Sequence, residues 1–215
     1  MIRSRILSRA MLLPVFSLLF CLLVVGGPSA KASVAEPLDH MKKAVDEIMV
    51  ILQDEKLAQP ESREQRRALV TRIIEKNFDF HEMSMRTLAR HWKGRTVEEQ
   101  DRFVELFSKL LENTYITKID TYAGEEVVFK KQAIKGDKAI VYSHLIRKNV
   151  ETPIDYRLKS SSDKWMVYDV VIEGVSLVRN YRTQFESILQ KEKFPVLLER
   201  IEEKIKQNDA ALLEQ

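Results

Sequence analysis

Cysteine is almost missing from this 215-residue chain; the one present is Cys21. It sits inside an apolar run near the N-terminus with further apolar residues after it, a poor context for a lipidated cysteine. Beyond residue 32 there is none, which excludes a disulfide framework, a zinc–thiolate site and a cysteine nucleophile from that part of the chain. Glycine is scarce too, six in all, and no glycine-rich loop that would cradle phosphate is present. The four histidines, His40, His81, His91 and His144, fall in different elements. No two have the i, i+4 spacing of a helical zinc site, so solvated or capping roles account for them better than metal ligation.

Long apolar runs are absent but for one, Met11 to Val25, interrupted by Pro14 and Ser17 and preceded by Arg3, Arg5 and Arg9. Small residues follow, in Ala30-Lys31-Ala32 and Ser33-Val34-Ala35. The pattern reads as a cleavable signal peptide over residues 1–32, with a mature single domain over 33–215 starting at Ser33 or Glu36. An uncleaved anchor is the alternative, but the run is short for a span of about 20 residues. Export by such a signal implies a periplasmic location in a bacterium. The full chain has 35 basic and 32 acidic residues. The signal segment carries four of the basic ones and no acids, which leaves 31 against 32. The apparent basicity therefore belongs to the signal segment, and nucleic acid is not an expected partner.

Hydrophobic periodicity then lays out the rest. Leu38 to Leu57 reads as a helix broken at Gln59-Pro60. Ser62 with Gln65 fits a capping box for a second helix, and Asp79 with Glu82 caps a short third one that Gly94 ends. Thr96-Val97-Glu98-Glu99 is the clearest capping box. It opens a long helix to about Tyr122, expected to lie across a sheet. Four strands follow as an antiparallel meander: 125–134, 138–148, 152–159 with a turn at 149–151, and one from Lys164. In the third, Ile154, Tyr156 and Leu158 share one face. The fourth has apolar residues at both parities, as where both faces are covered. Ser176 caps the next helix, Pro195 starts the last, and the tail from Gln207 is expected to fray. The fold class is α+β: a curved meander of about four strands packed with about six helices.

No catalytic constellation emerges. Asp169 and Glu173 share a strand face about 13 Å apart, beyond the separations of about 5 to 9.5 Å used by glycosidases. Ser176 in Glu-Gly-Val-Ser-Leu lacks the second glycine of a nucleophile elbow. What remains is an apolar surplus on helices and later strands, read either as ordinary core or as the lining of an apolar ligand cavity.

The run Tyr168-Asp169-Val170-Val171-Ile172-Glu173-Gly174-Val175-Ser176-Leu177-Val178-Arg179-Asn180-Tyr181-Arg182, ending at Phe185, resembles the signature of the MlaC family, also called the toluene-tolerance family. So do Thr87-Leu88-Ala89-Arg90-His91-Trp92 with Gln100 and Arg102-Phe103-Val104, Thr114-Tyr115 through Gly124, and Pro153-Ile154-Asp155-Tyr156-Arg157-Leu158 before Trp165. The resemblance covers nearly all of the mature chain. It implies a soluble carrier of an Mla-type ABC-transport system, shuttling glycerophospholipid between outer and inner membrane to maintain outer-membrane lipid asymmetry. The implied partners are an inner-membrane ABC transporter complex, through its MCE-domain subunit, and an outer-membrane lipoprotein–porin complex. No cofactor is implied, the phospholipid being cargo. The acyl chains would lie in a cavity between the long helix and the sheet. Leu106, Leu110 and Tyr115 are expected on one side, and Val127, Phe129, Ile140, Tyr142, Ile146, Val167 and Val171 on the other; plain core packing is an equal reading for each. A small enzyme with an apolar pocket, with Asp169 as its carboxylate, and a ligand-free envelope adaptor stay open beside the carrier.

Overall fold

Three tight turns fix the register of the sheet. Lys148 and Asn149 both have positive φ, 47° and 65°, the backbone of a two-residue turn whose twist matches that of its strands. It pairs Arg147 with Val150. Gly136, at φ 60°, makes the turn that pairs Lys135 with Lys138. Glu173 and Gly174, at 49° and 80°, pair Ile172 with Val175.

A computed structural model describes the backbone of residues 36–161 and 164–213; the side chains of 117–119, 212 and 213 are outside that description. The signal-peptide reading falls on residues outside it. In chain order the elements are α1 Pro37–Gln53, α2 Arg63–Asn77, α3 Phe80–Leu88, α4 Val97–Asp120, β1 Glu126–Lys135, β2 Lys138–Arg147, β3 Val150–Ser161, β4 Lys164–Ile172, β5 Val175–Ser176, α5 Leu177–Leu189 and α6 Phe194–Leu213. The five strands form one antiparallel sheet in the order β1-β2-β3-β4-β5. The architecture is thus α+β, with the two-residue β5 added to the four strands expected.

Several helix ends follow the capping chemistry of the sequence. Thr96 Oγ1 accepts from Glu99 N at 3.2 Å while Glu99 Oε2 accepts from Thr96 N at 3.0 Å, a reciprocal box. Asp79 Oδ1 accepts from Glu82 N at 2.8 Å, and Ser176 Oγ from Arg179 N at 3.0 Å. Ser62 differs: its side chain caps nothing, because Pro60–Ser62 forms a single 3-10 turn leading into α2. The last helix also runs beyond Gln207, to Leu213. Asn113 Nδ2 donates to Asp209 Oδ1 at 2.7 Å and ties that end to α4.

Two bulges decide which side chains face the helices. In β4, Leu158 pairs with Val167 but Arg157 pairs with Asp169, so Tyr168 is an extra residue. In β1, Phe129 pairs with Ser143 and Lys131 with Tyr142, which makes Lys130 the extra one. An extra residue switches the parity of a strand. The apolar residues at both parities of β4 therefore resolve into one continuous face of Trp165, Val167, Val170 and Ile172. Register carries this face across to Leu158, Tyr156 and Ile154 and on to Ala139, Val141 and Ser143.

Among the described residues two apolar clusters are buried. One lies between α1 and this face: Met41 with Ala139, Val141, Leu158, Trp165, Val167 and Val170. The other is helical and rich in aromatics: Phe103 and Phe107 of α4, Tyr181 and Phe185 of α5, and Phe194 and Leu197 of α6. The long helix α4 packs chiefly on α6 and α3 rather than across the sheet as expected.

Candidate functional site

Between α4 and the sheet lies a cavity of about 680 Å³, within the range of small-ligand pockets. Its floor is Ile154 and Tyr156 of β3 and Val170 and Ile172 of β4, the face selected by the Tyr168 bulge. Leu111, Tyr115 and Ile116 of α4 form one wall, Val70 and Ile74 of α2 another. Phe78, Phe80, Met83, Ile48 and Leu177 complete the apolar lining. Polar side chains occur at the rim, on α2 and α4: Thr71, Glu75, Glu105, Ser108, Lys109 and Glu112. Thr71 Oγ1 donates to Glu112 Oε1 at 3.1 Å, and Lys109 Nζ lies 3.2 Å from Glu112 Oε2.

The two tyrosines of the lining carry no charge at ordinary pH. Burial pushes the Tyr156 phenol up to about 12, more than the Ser143 hydroxyl beside it brings it down. Burial, with Tyr181 nearby, also raises Tyr115. Both stay protonated, so the interior presents hydrocarbon and neutral hydroxyls. No group of three His, Cys, Asp or Glu suited to a metal ion occurs among the described residues.

Of the ten residues proposed from sequence, Tyr115 borders the cavity. Leu106 and Leu110, 5% and 4% exposed, are in the helical cluster. Val127, Phe129 and Val167 are on the cavity face of the sheet but not in the lining; Phe129 and Val167 pack into the cluster under α1. Ile140, Tyr142, Ile146 and Val171 occupy the opposite face, since Ile140 pairs with Arg157, Tyr142 and Val171 with Asp155, and Ile146 with Glu151. For Val171 the reason is the Tyr168 bulge; for the three β2 residues it is register. A turn at 149–151 shifts the β2–β3 pairing by an odd number of residues, and such a shift exchanges the two faces. The real turn is Lys148–Asn149, and with it the clean alternation of Ile154, Tyr156 and Leu158 identifies Val141 and Ala139 as their neighbours. The contributions of Val70, Ile74, Phe80 and Met83 come from helices whose sequence reads as ordinary amphipathic surface.

Asp169 has a structural task. It is 2% exposed and faces away from the cavity. Its carboxylate accepts from Ser176 Oγ at 2.7 Å, Val178 N at 3.1 Å and Arg157 Nη1 at 3.1 Å. It thus joins β3, β4 and the start of α5, which places the signature run Tyr168–Phe185 at the corner of the fold.

An open sheet with an apolar cavity between one face and its helices defines a class: α+β proteins built to hold an apolar molecule. Within that class the MlaC protein family model matches residues 42–203, and the chain belongs to that family. It is 21% identical over 185 residues, covering 82% of this chain and 86% of the relative, to the intermembrane phospholipid transport system binding protein MlaC of Haemophilus influenzae. The fold is similar to that of a phospholipid-binding protein from Ralstonia solanacearum solved in complex with a phospholipid. That match has a TM-score of 0.72 and 26% identity, and it covers 81% of this chain and 99% of the other.

Proposed function

We propose that this protein is a soluble periplasmic carrier of glycerophospholipid. The observation that carries the reading is the apolar cavity of about 680 Å³, in a fold shared with a protein solved with phospholipid bound. Its acyl chains would lie between α4 and the β3–β4 floor, with the headgroup at the polar rim.

Physics gives such a carrier its purpose. At about 0.8 kcal/mol per methylene, exposing two sixteen-carbon chains to water costs on the order of 20 kcal/mol. Free desorption across an aqueous gap is correspondingly slow. A cavity lined by Ile, Val, Leu and Phe side chains replaces bilayer with protein and removes most of that barrier. The neutral tyrosines of the lining impose no charge on the chains.

Membership of the family supports a wider setting. The carrier would exchange lipid with an inner-membrane ABC transporter complex through its MCE-domain subunit and with an outer-membrane lipoprotein–porin complex, after export directed by residues 1–32. It would act by binding and release, without chemistry on its cargo. In support, Asp169, the carboxylate an enzyme reading would enlist, is engaged in holding β4 to α5 on the far side of the sheet. Native mass spectrometry of the exported protein, purified without detergent and followed by lipid extraction, tests the reading. One phospholipid per chain is expected; an empty mass, unchanged after incubation with phospholipid vesicles, would overturn it.

A further inference from the structure

We infer that lipid enters and leaves through the seam between α2 and α4, and that Arg66, Arg67 and Asp120 form the latch holding this seam shut. The inference rests on the cavity being a phospholipid site. It concerns how that site opens.

The walls of the cavity differ in what holds them. The floor is secured by the β3–β4 ladder, which pairs on both sides of the Tyr168 bulge. α1 rests on the sheet through Met41, and α4, α5 and α6 are locked by the aromatic cluster. α2 is held differently. Its buried residues are Arg66, Val70 and Asn77, one of them apolar. Its hydrogen bonds to α4 join polar side chains. Thr71 Oγ1 donates to Glu112. Arg67 Nε donates to Asp120 Oδ2 at 3.1 Å, Arg67 Nη2 to the same oxygen, and Arg66 Nη2 to Oδ1 at 3.3 Å. When a seam parts, water replaces polar bonds of this kind, but it has no equivalent for apolar packing.

The aperture is on the same seam. Three lining residues are well exposed, Glu75, Glu105 and Lys109, and all belong to α2 or α4. The helices run antiparallel: Arg66 and Arg67 meet Asp120, and Thr71 meets Glu112. Glu75 therefore stands towards Glu105 and Lys109 at the open end. Beyond it α2 is anchored, because Phe78 bridges to Val167 and Asp79 N donates to Val167 O at 2.8 Å. The other end of α2 follows the largely exposed segment 54–59. α2 also packs on α1, and towards α4 this end is restrained by the Asp120 cluster.

The latch is incompletely satisfied when closed. Two guanidinium groups share one carboxylate, and Arg66 Nε is buried without a partner. A buried donor left unpaired favours the state in which water reaches it. Release of Asp120 supplies that water and widens the slot between two walls that already bear the lining of the cavity.

The test is a pair of cysteines across the seam, Thr71→Cys with Glu112→Cys, in a mature chain that has no other cysteine. The protein is loaded with fluorescent phospholipid, joined with a short reductively cleavable thiol crosslinker, and mixed with phosphatidylethanolamine–phosphatidylglycerol vesicles. Transfer is expected to be roughly tenfold slower before cleavage of the crosslink than after it. The pair Arg102→Cys with Glu202→Cys, which joins α4 to α6 where those side chains meet, is expected to change transfer little. Equal rates before and after cleavage at the seam, or equal slowing by both crosslinks, would overturn the inference. Asp120→Asn tests the latch separately: faster transfer is expected, restored by Asp120→Glu, and an unchanged rate would remove the latch. Failure to load any phospholipid would instead remove the carrier reading, a distinct result.

Discussion

The two sides of α4 are both apolar, yet one is solid and the other hollow. Towards α5 and α6, Phe103 and Phe107 are fully buried and their rings meet Tyr181, Phe185 and Phe194 at centroid distances of 5.2 to 6.2 Å. Towards the sheet, Tyr115 and Ile116 face Ile154, Val170 and Ile172 across open space. The difference lies in reach. Each buried aromatic covers about 150–250 Å² and spans the gap between helices. The β-branched side chains of β3 and β4 are short and stiff, and α2 adds few aliphatics to meet them. Aromatics line this side too, Phe78, Phe80, Tyr115 and Tyr156, but they border the space instead of stacking on one another across it as the rings of Phe103 and Phe107 do.

The largest effect is expected on the solid side. Phe107→Ala removes a ring that touches both Tyr181 and Phe185. A loss of about 3–5 kcal/mol is expected in urea unfolding, and a loss below about 1 kcal/mol would mean that this side is not close-packed. On the hollow side the opposite change is informative. Ile154→Trp should fill the floor of the cavity, reducing co-purified phospholipid by roughly tenfold or more, about 1.4 kcal/mol, with little loss of stability. Tyr142→Trp, on the other face of β2, should leave bound lipid as it is. If the two variants retain lipid equally, the cavity face has been assigned to the wrong parity.

The smallest effect concerns the joint between the two regions. Burial pushes the Glu82 carboxyl up, but hydrogen bonds from Arg86 and Lys159 outweigh this and leave it below its ordinary value of 4.5. A carboxylate depressed by folding adds stability above its unfolded pKa and loses it as pH falls through the folded value. Thermal unfolding should therefore show a modest decline in stability below about pH 4.5 that Glu82→Gln reduces. An identical acid profile in the variant would assign that decline to other carboxylates.

Much of the architecture was legible along the chain because it depends on neighbours. The caps at Asp79, Thr96 and Ser176 bond to amides three residues away, so their side chains announce them. The meander follows from short apolar runs and turns, and the signature around Glu173-Gly174 from a corner that needs positive φ at both residues. The site was less legible. A turn at 149–151 points Ile140, Tyr142 and Ile146 at the cavity, yet pairing puts them on the other face. Lys148-Asn149 held the signal, since asparagine tolerates the left-handed backbone a two-residue turn requires. The bulge residues Lys130 and Tyr168 carried no comparable mark.

The fold class, most helix starts, the order of the strands and the family can be read along the chain, because these rest on local hydrogen bonds, periodicity and a contiguous motif. The cavity between the long helix and the sheet was expected from the chain, but which face of the sheet lines it, and that α2 meets α4 through Thr71, Arg66 and Arg67, came only with the packed fold. Those facts depend on parity summed through two bulges and three turns, and on contacts between residues 41 to 54 positions apart. A shift of one residue in the β3–β4 pairing would exchange lining for surface on one of those strands, and no local pattern in the chain records it.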